Sequence, residues 1–330
     1  MIKAQRSVLY GILWISSMVF LGAGVSVAQQ PYPSRPIRML VPYPPGGPTD
    51  LLARSLGAAF AERGGQPMVI ENRPGANTNI ATEICAKSPA DGYTICLISS
   101  TVSLNPFLYS KMPYDAEKDL EPVTNLVFAP EVLISGTTIP VNSFQDLVAY
   151  SKANPGRLNY GSFGLGGTPH LIAEWLKKTT GADWTHVPYK GAALALQAMA
   201  SGEIHLMYLA IGSPGVVPQI KAGKLKGLLV QGSKRHPLLP EVPAFTEAGL
   251  PEYVMRTWFG LAAPAGTPRD VVRKLSAESS AIVRSPAFRE RLATFGFEPA
   301  GNTPEEFARF LAEDRVRGAN LVKLSGARLE

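Results

Sequence analysis

Three runs of the 330-residue chain combine hydroxyls, glycines and few charges in a way that suits anion recognition. The first is Tyr43-Pro44-Pro45-Gly46-Gly47-Pro48-Thr49-Asp50. Gly46 and Gly47 allow a ligand close to the backbone. Thr49 and Asp50 open a predicted helix, where free N–H groups and the helix dipole favour an anion. Capping of that helix by the same two residues is the simpler reading. No Gly-Lys-Ser/Thr follows, so the run is not a nucleoside triphosphate loop.

The second run is Tyr160-Gly161-Ser162-Phe163-Gly164-Leu165-Gly166-Gly167-Thr168-Pro169-His170. It follows a predicted strand and opens a helix. Its glycines present consecutive N–H groups, and Ser162 and Thr168 add hydroxyls. The dinucleotide pattern fails, because Pro169 stands where its last glycine would fall. His170 lies in the first helical turn, placed either to bond a ligand or to lock the loop. The third run, Ser99-Ser100-Thr101-Val102-Ser103-Leu104-Asn105-Pro106, reads as a polar loop after a strand. Ser100 and Thr101 there suit a carboxylate or a water.

Motifs for catalysis are missing. There is no Gly-x-Ser-x-Gly elbow and no His-Glu-x-x-His pair. His186 and His205 lie in apolar strands and read as structural. Asp50 and Glu174 are single acids, without a partner for acid–base work. Nothing points to a cofactor, and two cysteines are too few for a zinc site of cysteines alone. The expectation is a binding protein and not an enzyme.

These runs need strands and helices to hold them. Segments 37–41, 68–71 and 93–98 read as buried strands, separated by helices at 49–63 and 78–87. That alternation predicts an α/β chain with a parallel, doubly wound sheet. A second series has strands at 159–162, 185–188, 204–209 and 226–231, with helices at 143–153, 168–179 and 192–201. Helices are also expected at 268–283 and from Thr303 to about 323, the latter with a Thr cap, Pro304 at the first position and acids in the first turn. All three runs fall at strand ends, where open parallel sheets bind ligands. Extended segments 121–135 and 252–264 would link two lobes. Residues 31–126 and 253–330 would form the first lobe and 127–252 the second, with the ligand cleft between them.

Composition narrows the class. Apolar residues make up 45% of the chain, too many for disorder, and the 31 glycines show no collagen period. Residues 1–28 read as a cleaved signal peptide: Lys3 and Arg6, an uncharged apolar run, then Ser26-Val27-Ala28. Its loss would take the formal charge from +6 to about +4. Lysines and arginines are scattered, which argues against nucleic-acid binding. No later stretch is long and apolar enough to span a membrane. Cys85 and Cys96 read as two buried small hydrophobes, with a disulfide as the alternative.

Several motifs together resemble the Bug receptors, the extracytoplasmic solute-binding proteins of the tripartite tricarboxylate transporter family. They are the 41–50 run, Glu71-Asn72-Arg73-Pro74-Gly75-Ala76, Ala90-Asp91-Gly92-Tyr93-Thr94, the 160–170 run, and His186-Val187-Pro188-Tyr189-Lys190-Gly191. Leu239-Pro240-Glu241-Val242-Pro243, Trp258-Phe259-Gly260-Leu261 and Ala263-Pro264-Ala265-Gly266-Thr267-Pro268 complete the series. The resemblance implies a two-lobed periplasmic-binding-protein fold, each lobe a mostly parallel sheet flanked by helices. It implies a small carboxylate ligand, such as a di- or tricarboxylate or an aromatic acid, held by amides, hydroxyls and waters. It implies contacts from Tyr43, Gly47, Thr49, Asp50, Ser100, Thr101, Ser162, Gly164, Thr168, His170 and Tyr189. It also implies delivery to membrane permease subunits; a sensor kinase partner is the alternative, and an exported hydrolase a weaker one. One position departs: Leu209 stands where many relatives carry Asp. Placed at the cleft floor, Leu209 would disfavour an amino acid and favour a carboxylate with an apolar body.

Overall fold

The computed structural model describes residues 32–189, 192–251 and 255–329. The expected signal peptide and the start of the second linking segment lie outside the described residues. Two sheets organise the chain. In the first, β1 (Ile37–Val41), β2 (Met68–Asn72) and β3 (Thr94–Ser99) are short apolar runs paired in parallel. Between them run α1 (Pro48–Glu62) and α2 (Asn79–Ala86). The order is β2-β1-β3-β10-β4-β11. Strands β4 (Leu120–Phe128), β10 (Trp258–Pro264) and β11 (Glu298–Pro299) complete it, and β10 runs antiparallel to both β3 and β4. All seven β10 residues are buried, as a central strand covered on both faces requires.

The second sheet has the order β7-β6-β8-β5-β9. Its strands are β5 (Glu131–Ser135), β6 (Asn159–Ser162), β7 (Thr185–Pro188), β8 (Leu206–Ala210) and β9 (Lys226–Val230). β6 pairs in parallel with β7 and β8, and β5 runs against β8 and β9. Helices α4 (Phe144–Ala153), α5 (Thr168–Thr180), α6 (Ala192–Ser201) and α7 (Val216–Lys221) connect these strands. Ser143 caps α4, its hydroxyl accepting from the Asp146 N–H. Both sheets are therefore mixed, not mostly parallel as expected, because β10 and β5 enter against their neighbours, and the chain has a two-lobed α/β architecture.

The C-terminal helices are α8 (Arg269–Arg284), α9 (Pro286–Thr294) and α10 (Pro304–Ser325). A capping box closes the start of α10: Thr303 Oγ1 accepts from the Glu306 N–H, and the Glu306 carboxylate accepts from the Thr303 N–H. Helix α10 packs on α5 of the second sheet as well as on the first-sheet side. Its Leu321 and Val322 share one apolar cluster with Leu104, Leu108, Leu171, Trp175 and Leu176.

The 99–106 run differs from expectation. It is not a loop but holds a helix, α3 (Thr101–Leu108), with Pro106 inside it. Its hydroxyls mimic a loop by composition. Burial of Leu104 and Leu108 in one apolar cluster and of Val102 in another decides the conformation instead. Helices α7 and α9 also escape the sequence pattern. The helix expected from residue 78 begins one residue later, because residues 76–78 form a left-handed turn. Cys85 and Cys96 are both free and fully buried. Burial and the neighbouring Cys85 thiol push the Cys96 thiol well up.

Candidate functional site

The 43–50 loop leaves the carboxyl end of β1 and enters α1 with Gly47 as N-cap. Asp50 is 2% exposed and organises the loop. Its Oδ2 accepts from the Gly46 N–H (3.0 Å) and Arg54 Nε (2.9 Å), and its Oδ1 from Asn72 Nδ2 (2.9 Å). Asn72 also donates to the Tyr43 carbonyl at 3.0 Å. Burial pushes the Asp50 carboxyl up, but hydrogen bonds from Arg54, Gly46 and Asn72 and the Arg54 charge outweigh it and hold it below the usual range. Both carboxylate oxygens are thus occupied within the loop. Thr49 is buried beside it.

A chain of hydroxyls starts from Tyr43. The phenol donates to Ser99 Oγ at 3.0 Å, Ser99 Oγ lies 2.8 Å from Thr101 Oγ1, and Thr101 Oγ1 lies 2.6 Å from Thr78 Oγ1. Burial pushes the Tyr43 phenol up to about 12, so it stays an O–H. Thr78 ends the turn Gly75-Ala76-Asn77-Thr78, where Ala76, Asn77 and Thr78 all have positive φ (47°, 49° and 76°). Such a run in residues with a Cβ is strained. An amide network holds it: Asn77 Nδ2 donates to Asn105 Oδ1 at 2.7 Å, and Asn105 Nδ2 donates to the Asn77 carbonyl at 2.9 Å. Asn72, Thr78 and Asn105 went unnoticed in the sequence. The Glu71-Asn72-Arg73 motif was the available signal for Asn72.

The 160–170 loop supplies the other side. It leaves the carboxyl end of β6 and enters α5 with Gly167 as N-cap. Ser162 Oγ donates to the Gly164 carbonyl at 2.8 Å and lies 2.7 Å from His186 Nε2. His170 locks the loop: its Nδ1 accepts from the Gly166 N–H at 3.1 Å, which assigns the ring proton to Nε2. The His170 and His186 rings lie 4.2 Å apart and tilted by 37°, with Tyr160 against His186 at 4.8 Å. Burial pushes His170 and His186 down to about 4, so both are neutral at ordinary pH. Tyr160 donates to Glu174 Oε1 at 2.7 Å.

The two sides touch. Ser100 Oγ, at the N-cap position of α3 without a capping bond, lies 2.9 Å from Thr168 Oγ1 in the first turn of α5, and both residues are buried. Nearby, a Cβ on Gly166 (φ 80°) would approach Leu329 Cδ1 to 2.6 Å and Leu108 Cδ1 to 2.9 Å, with Asn77 Nδ2 at 3.3 Å. Gly166 permits that approach. The structure therefore gathers Tyr43, Gly47, Thr49, Asp50, Ser100 and Thr101 on one side and Ser162, Gly164, Thr168 and His170 on the other. Tyr189 follows β7; its N–H donates to the Ser162 carbonyl at 2.8 Å, and its hydroxyl to Glu203 Oε1 at 2.8 Å. Leu209 is fully buried in an apolar cluster with Val132, Ile134 and Met207. The surface between the two sides offers hydroxyls and N–H groups and little net charge, which suits a small anion held by neutral donors.

Comparisons with known proteins agree with this chemistry. Residues 52–326 match the family described as "Tripartite tricarboxylate transporter family receptor". The structure of Rpa4515 from R. palustris with adipate is similar, with 37% identity, TM-score 0.84, and coverage of 90% of this chain and all of that one. The periplasmic binding protein BugD matches with 33% identity and TM-score 0.82 over 91% of this chain and 100% of its own. MatC (Rpa3494) from Rhodopseudomonas palustris with bound malate matches with 32% identity and TM-score 0.77, over 88% of this chain and 100% of its own.

Proposed function

Because the chain belongs to the tripartite tricarboxylate transporter receptors, the family of the Bug proteins, we propose that it is a periplasmic solute-binding protein for a small carboxylate. It closes two lobes on the ligand and hands it to the membrane subunits of a tripartite transporter. The lobes we assign are 31–126 with 253–330, and 127–252. The observation that carries this reading is the meeting of two neutral, donor-rich helix starts from different sheets at Ser100 and Thr168. A ligand that contacts both sides favours the closed state; contact with one side alone shifts nothing. The residues we assign to the ligand are Tyr43, Gly47, Thr49, Ser100, Thr101, Ser162, Gly164 and Thr168, with the Tyr43 and Ser162 hydroxyls exchanging their bonds to Ser99 and the Gly164 carbonyl for the ligand. Asp50 and His170 hold their loops in place.

Relatives with adipate and malate support the carboxylate class. The Ser162–His186 hydrogen bond has the dimensions of a nucleophile and its base. At about 4, however, His186 is a poor base near neutral pH, and the Glu174 carboxylate beside it is bonded by Tyr160. Binding without turnover is therefore the better reading. Mass spectrometry of ligand released from natively purified protein, followed by thermal-shift screening of carboxylic acids, tests it. Recovery of an unaltered carboxylate that raises the melting temperature is expected. A protein stabilised by no carboxylate, or one that converts the acid, would refute it.

A further inference from the structure

Glu131 is a buried acid that the account above does not use. It opens β5 opposite Ala210, the last residue of β8, and so lies at the carboxyl edge of the second sheet, from which the Ser162 loop also departs. It directly follows Ala129-Pro130, where the chain crosses from the first sheet to the second. Its side chain is 2% exposed, and its Oε2 has no hydrogen-bond partner.

Groups from both sheets surround it. The Thr257 hydroxyl, just before β10, faces the carboxyl without completing a well-formed bond. The Tyr43 phenol, after β1, is near enough to feel its charge. The Gln231 N–H, after β9, bonds the Glu131 carbonyl, and the Gln231 side chain is engaged by the Met255 carbonyl. The charged groups of the neighbouring segments, Arg256 and Glu298, pair with each other at 2.6 Å, with Arg256 stacked on Phe128. Among the described residues no cation pairs with Glu131. An acid buried without a cation stays neutral or waits for a partner to complete it.

We infer that Glu131 is a ligand-recognition residue of the cleft, a neutral carboxyl whose O–H donates to one carboxylate oxygen of the bound solute. The inference rests on the carboxylate-binding reading and adds a fixed proton to it. Burial pushes the Glu131 carboxyl up to about 8, against a weaker downward pull from Thr257, so the O–H is present at neutral pH. A similar device keeps an acid as a hydrogen-bond donor in other buried sites. An ammonium-bearing solute would instead require the ionised form. Val132 and Leu209, next along the ladder, point to the opposite face and belong to the buried apolar cluster. The solute a neutral donor favours is a carboxylate with no amino group. Only the protonated form binds such a solute, because the ionised form sets two anions face to face. Affinity therefore falls as pH rises through the Glu131 titration, by about tenfold per pH unit beyond it.

Calorimetric titration of the mature chain with adipate, malate, citrate, benzoate and L-aspartate, from about pH 6 to about pH 9, tests this linkage. The wild type should bind at least one of the four non-amino acids with affinity that declines above about pH 8. Glu131→Gln should bind that acid severalfold more weakly near neutral pH and lose the decline. Should the variant fold poorly, titration of the wild type in buffers of different ionisation heat reads the same linkage directly. Net uptake of a proton on binding near the top of the range supports the inference, and none overturns it. Identical pH profiles in wild type and variant overturn it while leaving the carboxylate reading intact. Tight aspartate binding abolished by Glu131→Gln would make Glu131 an ammonium counter-ion and overturn it too. A wild type that binds none of the non-amino acids removes the proposed function and this inference together.

Discussion

The hydroxyls of Ser100 and Thr168 lie 2.9 Å apart, both buried, although 68 residues separate them in the chain and they stand at the starts of helices that follow strands of different sheets. A hydrogen bond across that seam exists only while the two sides are together. It lies beside the apolar cluster that α3 and α5 share. Removing one partner leaves the other hydroxyl buried and unsatisfied, which costs more than removing both. Ser100→Ala and Thr168→Val should each weaken carboxylate binding, and the double variant should lose less than the sum. The double-mutant cycle should show a coupling of about 0.5–1.5 kcal/mol, read from calorimetric affinities. Strict additivity would place the contact outside the binding cycle.

Asp50 governs a different property. Its three hydrogen bonds tie the Gly46 backbone, Arg54 and Asn72 into one loop. Its carboxyl is held below the usual range in the folded state. It therefore contributes stability above its unfolded value, about 3.9, and loses it as pH falls through the folded value. Asp50→Asn should cost about 1–3 kcal/mol near neutral pH and flatten the acid limb of the stability profile. Thermal denaturation against pH reads both.

The histidines bring on acid sensitivity earlier. His170 and His186 are pushed from their ordinary 6.5 down to about 4 by burial, and for His186 also by the His170 charge. A depressed histidine contributes nothing above 6.5, where it is neutral folded and unfolded, and destabilises the fold progressively as pH falls toward 4 because only the unfolded state takes up the proton. Stability should decline across that window, and His186→Gln should make the decline shallower. Chemical denaturation at a series of pH values measures it. An unchanged slope in the variant would assign the loss elsewhere.

The turn at residues 75–78 predicts a gain. Ala76 is exposed and holds φ at 47°, a conformation that glycine adopts freely. Ala76→Gly should raise stability by up to about 1 kcal/mol, because release of left-handed strain outweighs the added entropy of the unfolded chain. A higher melting temperature is the expected result.

The sequence exposes some of this physics and conceals the rest. The β1–β3 alternation was legible because short apolar runs and helical runs have different periods. The α10 start was legible because Thr303 and Glu306 form a local pair. Both donor-rich loops were visible as glycine and hydroxyl clusters, and so was the locking of one by His170. Their contact was not, because it depends on the packing of two sheets. Helix α3 was hidden by serine and threonine that usually signal a loop; only the tertiary burial of Leu104 and Leu108 overrides that preference. The left-handed run at Ala76-Asn77-Thr78 carries no extra glycine to announce it, and its support, Asn105, lies in the segment misread as a loop. Glu131 lies within the 121–135 segment read only as a link between lobes. Its lack of a cation is a property of three dimensions.

The most direct test of two-sided capture removes donors from one side while leaving the other intact. Calorimetry with the carboxylate that best stabilises the wild type would compare Thr49→Val with the double variant Ser162→Ala, Thr168→Ala. The account predicts that each weakens binding by about tenfold or more, as the loss of about 1.4 kcal/mol of contact requires. Full affinity in the Ser162→Ala, Thr168→Ala protein would contradict it.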